Sequence, residues 1–402
     1  MSTKINSSIK NICFVNNSST IGEFGIDSYD ENPGIGGTEY VTIKLITKLA
    51  YLNKPIQFSL ISDQRVTNHS NLKNINIVRK TKKYFDICIV PNSQYSYFKS
   101  KKISYEKLIL WSHHPHDLIS NGLKKINHLI SLGEYQYFSN ISLAEKHYLI
   151  RNPYPKPIPL KQLKRIRVGK VENFVFLGSI GPAKGLHLIL DMWPQIRKKF
   201  KKSKLNIIGG NLYREEKRNS KINRIFPTYE KILEKKLSRM NKSDKNSVNF
   251  LGLLSPAEKN KILKNSDIAI LNPTGKSEAA PASPLECYCY GIPVIAGGDY
   301  GAYDNMKQFP ELDLKKQNLK QIIKILKSEK QILILKKKAY DFADSNFIKN
   351  KNIINEWAEL INGNFSSPKI ELPNYLKLKI KVREIYYRNF KYPLKSLINL
   401  IK

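Results

Sequence analysis

Twice along this chain, short β-branched runs alternate with stretches of helical periodicity, and a proline-studded run separates the two series. The separator is Asn152-Pro-Tyr-Pro-Lys-Pro-Ile-Pro159, and a basic segment reaching Lys170 follows it. Proline fixes φ and has no backbone N–H, so this run forbids a helix and favours a stiff, extended connection. It reads as a domain boundary. Before it, the spacing predicts strands over Asn11–Val15, Ile56–Ile61, Ile75–Val78, Asp86–Val90, Lys107–Trp111 and His128–Ser131. A helix is expected over Thr38–Leu52, where Val41, Leu45, Ile46 and Leu49 share one face. Beyond it, strands are expected at Phe174–Leu177, Leu205–Ile208, Val248–Leu251, Ile268–Leu271 and Pro293–Ala296. A helix over Gly185–Phe200 would bury Leu186, Ile189, Leu190, Trp193 and Ile196.

Strands interleaved with helices predict mainly parallel, doubly wound sheets. The fold class is therefore α/β, with two Rossmann-like domains facing across a ligand-binding cleft. The expected division is 1–160, 171–340, a helical segment 341–365 returning to the N-terminal domain, and a basic tail 366–402. A chain of 402 residues is long enough for two such cores.

Composition removes several function classes. No apolar run approaches the ~18–20 residues of a membrane-spanning helix, and Met1–Lys10 lacks the apolar core of a secretory signal. Cys13, Cys88, Cys287 and Cys289 do not form a disulfide framework or a Cys-x-x-Cys metal pair. These features predict a reducing, cytoplasmic setting. The net charge of +35 invites a polyanion, but the lysines are spread along the chain, so nucleic acid is not expected as a partner. An anionic membrane surface stays open as a partner for the tail. Pro368–Lys402 carries nine Lys or Arg against Glu371 and Glu384, with Leu378, Val382, Ile385 and Tyr386 at helical spacing. Such a helix either packs on its own protein or lies on anionic lipid.

The segment Ser277–Ala296 carries the most chemistry. Ser283-Pro-Leu-Glu286 has the form of a capping box, so a short helix is expected to start near Pro284 and to end at Gly291, before Pro293. Free N–H groups at its start would suit a diphosphate. Glu278 and Glu286 would face one pocket mouth, where a carboxylate can accept hydrogen bonds from two vicinal hydroxyls. On spacing alone a plainer reading stands beside this one: Glu286 closes its own cap and Glu278 is a loop charge.

Glu278 and Glu286, spaced Glu-x7-Glu before Gly291-Ile-Pro-Val-Ile, resemble the donor-binding segment of family 4 retaining glycosyltransferases of the GT-B fold. Phe176-Leu-Gly178-Ser-Ile-Gly-Pro-Ala-Lys184-Gly185 resembles that family's glycine–lysine loop. Leu205–Gly210 and Val248-Asn-Phe-Leu-Gly252 resemble its glycine-ended strands, and Gly34-Ile-Gly36-Gly37-Thr-Glu39 its first glycine loop. The matches come in the family's order over roughly residues 11–360.

The resemblance implies a hexosyltransferase that uses a UDP- or GDP-sugar as donor substrate, with no separate cofactor and no metal, acting on a glycan or lipid-linked acceptor. Lys184 would neutralise the leaving diphosphate, Glu286 would bind ribose, and Glu278 would contact the transferred sugar. Gly178, Ser179, Gly209 and Ser283 would complete the donor site, while Gly36 and Gly37 would line the acceptor or phosphate loop. Lys184 is otherwise one more surface lysine, and the two glycines otherwise make a tight turn. The family's arginine beside the diphosphate is Ser179 here, and its Phe-Gly after the first glutamate is Ala280-Pro281. His113 is the candidate for the family's histidine at the sugar site, with His114 as its alternative. Pro115 breaks the helical spacing that a metal shared by His113, His114, His116 and Asp117 would need. The rival readings are a sugar-nucleotide epimerase or phosphorylase on the same fold, and a degenerate polyanion-binding protein.

Overall fold

The two series become two parallel sheets in a computed structural model. It describes residues 4–5, 8–9, 11–17, 37–53, 56–63, 75–78, 84–113, 128–140, 146–210, 227–275, 278–366 and 371–386. The chain divides into two units. The first contains Thr38–Asn152 and Lys351–Lys402 together with the N-terminal strand, and the second contains Pro153–Asn350.

Strands of the first unit are β1 (Asn11–Val15), β2 (Gln57–Ile61), β3 (Ile75–Val78), β4 (Tyr84–Pro91), β5 (Ser104–Ser112), β6 (His128–Ser131) and β7 (Lys146–Leu149). Their order is β3-β2-β1-β4-β5-β6-β7, and every pairing is parallel. Strands covered on both faces must be apolar along their length, and Ile12, Cys13, Phe14 and Val15 of β1 are all buried. Helices α1 (Gly37–Leu52), α2 (Tyr95–Ser100) and α3 (Glu134–Asn140) belong to this half of the sequence. The face expected of α1 (Val41, Leu45, Ile46, Leu49) is buried.

The second unit has a sheet of β8 (Asn173–Leu177), β9 (Lys204–Ile208), β10 (Val248–Gly252), β11 (Ile268–Ile270) and β12 (Val294–Ile295), in the order β10-β9-β8-β11-β12. Its helices are α4 (Leu186–Lys199), α5 (Pro227–Ser238), α6 (Lys242–Asn246), α7 (Pro256–Lys264), α8 (Ala282–Tyr288), α9 (Tyr303–Met306), α10 (Leu319–Leu326) and α11 (Glu329–Ile348). On α4 the five expected residues, Leu186, Ile189, Leu190, Trp193 and Ile196, are buried. Each such side chain stabilises by roughly 1.5–3 kcal/mol through its burial, and the Trp193 indole N–H donates to Ser247 Oγ at 2.8 Å.

The basic segment after the prolines is fastened by a buried ion cluster. Asp267 accepts from Arg165 Nε at 3.0 Å and from the backbone N–H groups of Glu172 and Asn173, both at 3.0 Å. Lys336 of α11, also buried, donates to Asp267 at 2.8 Å and to the carbonyls of Arg165 and Val168. Burial alone would push the Asp267 carboxyl up, but Arg165 and Lys336 hold it below its usual value.

Helices α12 (Asn350–Asn362) and α13 (Asn374–Tyr386) follow, and α13 lies against α3. Its apolar residues divide between two faces. Leu376 and Ile380 are buried, whereas Tyr375, Leu378, Val382 and Ile385 are each at least 47% exposed. At ~100° per residue the exposed four span an arc of roughly 80°, with Lys379 and Lys381 along its two edges.

Candidate functional site

The second unit's candidates gather at the carboxyl ends of its strands, where ligands bind in open parallel sheets. Past β8 the chain turns through Gly178 and a 3-10 turn, Pro182–Lys184, closed by left-handed Gly185 at φ 69°. Past β9 it passes Gly209, whose φ is +143°. A Cβ there would stand 1.8 Å from the Gly178 carbonyl oxygen, so only glycine fits this crossing of two loops. Ser283 Oγ of α8 faces the same place, 3.8 Å from where a Cβ on Gly178 would stand. Gly178, Gly209 and Ser283 are thus brought together. Ser179 is half-buried beside them.

Lys184 Nζ meets Glu278 Oε1 at 2.5 Å. Glu278 is buried, and the same oxygen accepts from Asn272 Nδ2 at 3.2 Å. Asn272 follows β11 with a left-handed φ of 30°, and its Oδ1 accepts from Thr274 Oγ1 at 2.9 Å. The expected phosphate cation and the expected sugar-contacting carboxylate therefore form one bonded pair, with an amide bracing the carboxylate. A cation fixed by a buried partner is preorganised for a developing negative charge.

Glu286 departs from its expected local role. The helix starts at Ala282 with Pro281 as its N-cap, and no side chain makes a cap hydrogen bond. Ser283 is already inside the first turn, so the Ser283–Glu286 capping box does not form. Pro281 supplies the extended backbone that precedes a helix, one turn-start earlier than expected. Glu286 instead makes an ion pair with Lys259 of α7. The turn after α8 does pass through left-handed Gly291, at φ 65°. Burial pushes the thiol of Cys287, beside Glu286, well above its usual value.

Two polar partners at this site, Asn272 and Lys259, escape the sequence reading. Asn272 carries a faint signal, a polar residue directly after an apolar strand. Lys259 carries none, as one lysine in a run of them.

Gly37 opens α1, with nothing within 4 Å of a Cβ built on it. His113 follows β5; its backbone N–H donates to Asn92 Oδ1 at 2.9 Å, and its ring lies edge-on to Trp111 with centroids 4.4 Å apart. Gly36, His114, His116 and Asp117 lie outside the described residues.

Residues 162–342 match the family model of glycosyl transferases group 1. No curated protein sequence matches the chain. Among solved structures, an S. aureus TarM variant in complex with Fondaparinux, alpha-GlcNAc-glycerol and UDP is similar at TM-score 0.50 and 16% identity, over 80% of this chain and 59% of that one. A second TarM structure is covered over 54% of its length, so the chain spans somewhat more than half of these two relatives. An E. coli trehalose-6-phosphate structure bound with UDP-2-fluoro glucose matches at TM-score 0.53 and 12% identity, over 88% of this chain and 98% of that one. WaaG, a glycosyltransferase involved in lipopolysaccharide biosynthesis, matches at TM-score 0.55 and 10% identity, over 88% of this chain and all of that one. At such identities the likeness speaks for the fold, and the family match speaks for the segment that carries the Lys184–Glu278 pair. The chain has the GT-B fold, and residues 162–342 of its second unit match the glycosyl transferases group 1 family.

Proposed function

We propose that the protein moves a hexose from a UDP- or GDP-sugar to a glycan or lipid-linked acceptor, with retention at the anomeric carbon and without a metal. The observation that carries this reading is the Lys184–Glu278–Asn272 cluster at the ends of β8 and β11, next to the glycine crossing. In this reading the donor diphosphate lies against Lys184 and the backbone at Gly178 and Gly209. Ser179 and Ser283 border it, and Glu286 accepts hydrogen bonds from the ribose hydroxyls. Glu278 contacts the transferred sugar.

The sugar–phosphate C–O bond breaks as the acceptor oxygen bonds the same carbon. The acceptor proton passes to the departing phosphate oxygen on the same face, and Lys184 stabilises the charge left on the diphosphate. His113 is assigned to the sugar site, and the glycines Gly36 and Gly37 to the acceptor or phosphate loop. The complexes with UDP and UDP-2-fluoro glucose make UDP the first nucleotide to try. A peripheral place on an anionic membrane rests on α13, whose exposed apolar stripe is edged by lysines as an interfacial helix requires.

The test is thermal unfolding with millimolar UDP, GDP and ADP, each alone, for wild type and Glu286→Ala. A nucleotide at ~100 times its Kd adds about 2.7 kcal/mol, a shift of a few degrees. One nucleotide should stabilise wild type and lose most of that effect in the variant. No shift with any of them would remove the donor site and bring forward a polyanion-binding role.

A further inference from the structure

Two consecutive residues of α7 grip α8 and the turn that follows it. Lys259 pairs with Glu286, and Asn260 Oδ1 accepts a hydrogen bond from Tyr290 Oη, one helical turn further on. The grip is itself anchored. α7 begins in a full capping box between Ser255 and Glu258, and the Lys259 N–H donates to the Ser255 carbonyl at 2.9 Å. The two partners are buried unequally: the lysine side chain is 8% exposed and the glutamate 24%. The cation is shut in, and the carboxylate keeps an open side.

This arrangement has a poor explanation in stability. A buried ion pair is often no better for folding than well-packed apolar side chains of the same volume. A charge here does two other things. By engaging Oε1 it sets the rotation of the carboxylate, and a carboxylate still has acceptor sites left for a vicinal diol. It also offsets the negative charge of Glu286, which a nucleoside diphosphate would otherwise meet as like charge. Lys184 pairs with Glu278, there with the carboxylate as the more buried partner, so each glutamate of the Glu-x7-Glu pattern is matched by its own lysine.

We propose that Lys259 is a positioning residue for the donor nucleotide: it touches no donor atom and orients Glu286 toward the two ribose hydroxyls. The proposal rests on the reading of Glu286 as the ribose ligand.

The experiment is calorimetric titration of the full chain with UDP, GDP and ADP, and with the 2′,3′-dideoxy form of whichever binds. The proteins are wild type, Glu286→Gln, Lys259→Met, Lys259→Arg and the double variant Glu286→Gln/Lys259→Met. Losing a charge-assisted orientation should weaken the ribonucleotide about tenfold in Lys259→Met. Lys259→Arg should restore most of it. Wild type should bind the dideoxy nucleotide more weakly, and Lys259→Met should weaken it less than it weakens the ribonucleotide, because no diol is left to orient and only the charge balance at Glu286 is lost. The double variant should be no weaker than Glu286→Gln alone. A role confined to stability would move unfolding without this ribose-dependent split. Should Met at this position unfold the protein, Lys259→Gln carries the same comparison.

Affinity in Lys259→Met equal to or tighter than wild type, with Glu286→Gln weakened, overturns the proposal and leaves the donor site standing. If Glu286→Gln binds as wild type, or wild type does not distinguish ribose from dideoxyribose, the ribose reading itself fails and the role of Lys259 with it.

Discussion

The first unit buries polar groups that are neutral. Gln136 donates to the Ser112 carbonyl at 2.8 Å and accepts from the Leu132 N–H, and His147 Nε2 meets Ser131 Oγ at 2.9 Å. His128 Nδ1 lies 3.3 Å from Tyr148 Oη. The second unit buries charges beside opposite partners: Lys336 with Asp267, both buried, then Lys259 against the more open Glu286 and Glu278 against the more open Lys184. A neutral network fails when one of its members gains a charge. A paired network fails when one member loses its own. The two halves, alike in sheet and helix, should therefore break under different insults.

The largest separation between them should come from Asp267→Asn. It leaves Lys336 buried without its counter-charge, which costs about 3–5 kcal/mol. Hydrogen exchange read strand by strand should show β8 and β11 losing protection while β4 and β5 keep theirs. Unchanged protection in β8 would break the comparison.

Acid should act the other way round. Burial pushes His128 and His147 from the usual 6.5 down to about 4, with Lys107 and Lys146 adding to the effect at His128. The unfolded chain then binds more protons than the folded one, so the first unit loses stability as pH falls from about 6.5 toward 4. Burial raises Glu356 from 4.5 to about 6, with neighbouring Glu359 assisting and Arg151 opposing. That carboxyl stabilises at low pH and loses its contribution as pH rises through 6, a partial offset. Asp267, held below its usual 3.8, withdraws its contribution only at lower pH still. Exchange measured at pH 7, 5.5 and 4.5 should show the first unit loosening before the second, and simultaneous loosening would contradict the distinction.

The smallest effect on stability should come from Leu378→Asp/Val382→Asp on the open face of α13, within about 0.5 kcal/mol. The same pair should abolish sedimentation with phosphatidylglycerol vesicles, and wild type should not sediment with phosphatidylcholine alone. Sedimentation that survives the double change would remove α13 from the membrane reading.

Much of the architecture was legible because parallel strands announce themselves as apolar runs. β1, β3 and β6 begin and end at the residues expected from the sequence. β7 was missed because Lys146-His-Tyr-Leu149 at the sheet margin carries only one buried residue, so no apolar run marks it. The GT-B fold follows from loops whose glycines and charges are close in sequence, whereas the Lys184–Glu278 contact joins residues 94 apart and no motif announced it. The capping box was misread because Ser-Pro-Leu-Glu satisfies the pattern wherever the helix begins, and Lys259, 27 positions away from Glu286 in sequence, gave no sign that it would claim the carboxylate. For α13 the periodicity was visible, but the division into a buried and an open face depends on where α3 lies.

The chain leaves the first unit after Asn152 and re-enters it at Lys351. The two crossings are tied together, since Asn350 exchanges hydrogen bonds with the backbone of Tyr154 at 2.7 and 2.8 Å. Trp111 of β5 meets Trp357 of α12, with ring centroids 5.0 Å apart. On the ribosome that contact has to wait until the entire second unit has emerged. Closing so long a loop adds little to the free energy, because each doubling of its length costs only about 0.6 kcal/mol. It adds delay. Until α12 arrives, one face of the first core stands open to chaperones and to other nascent chains, while the stretch Pro153–Asn350 of the second unit can already be folded.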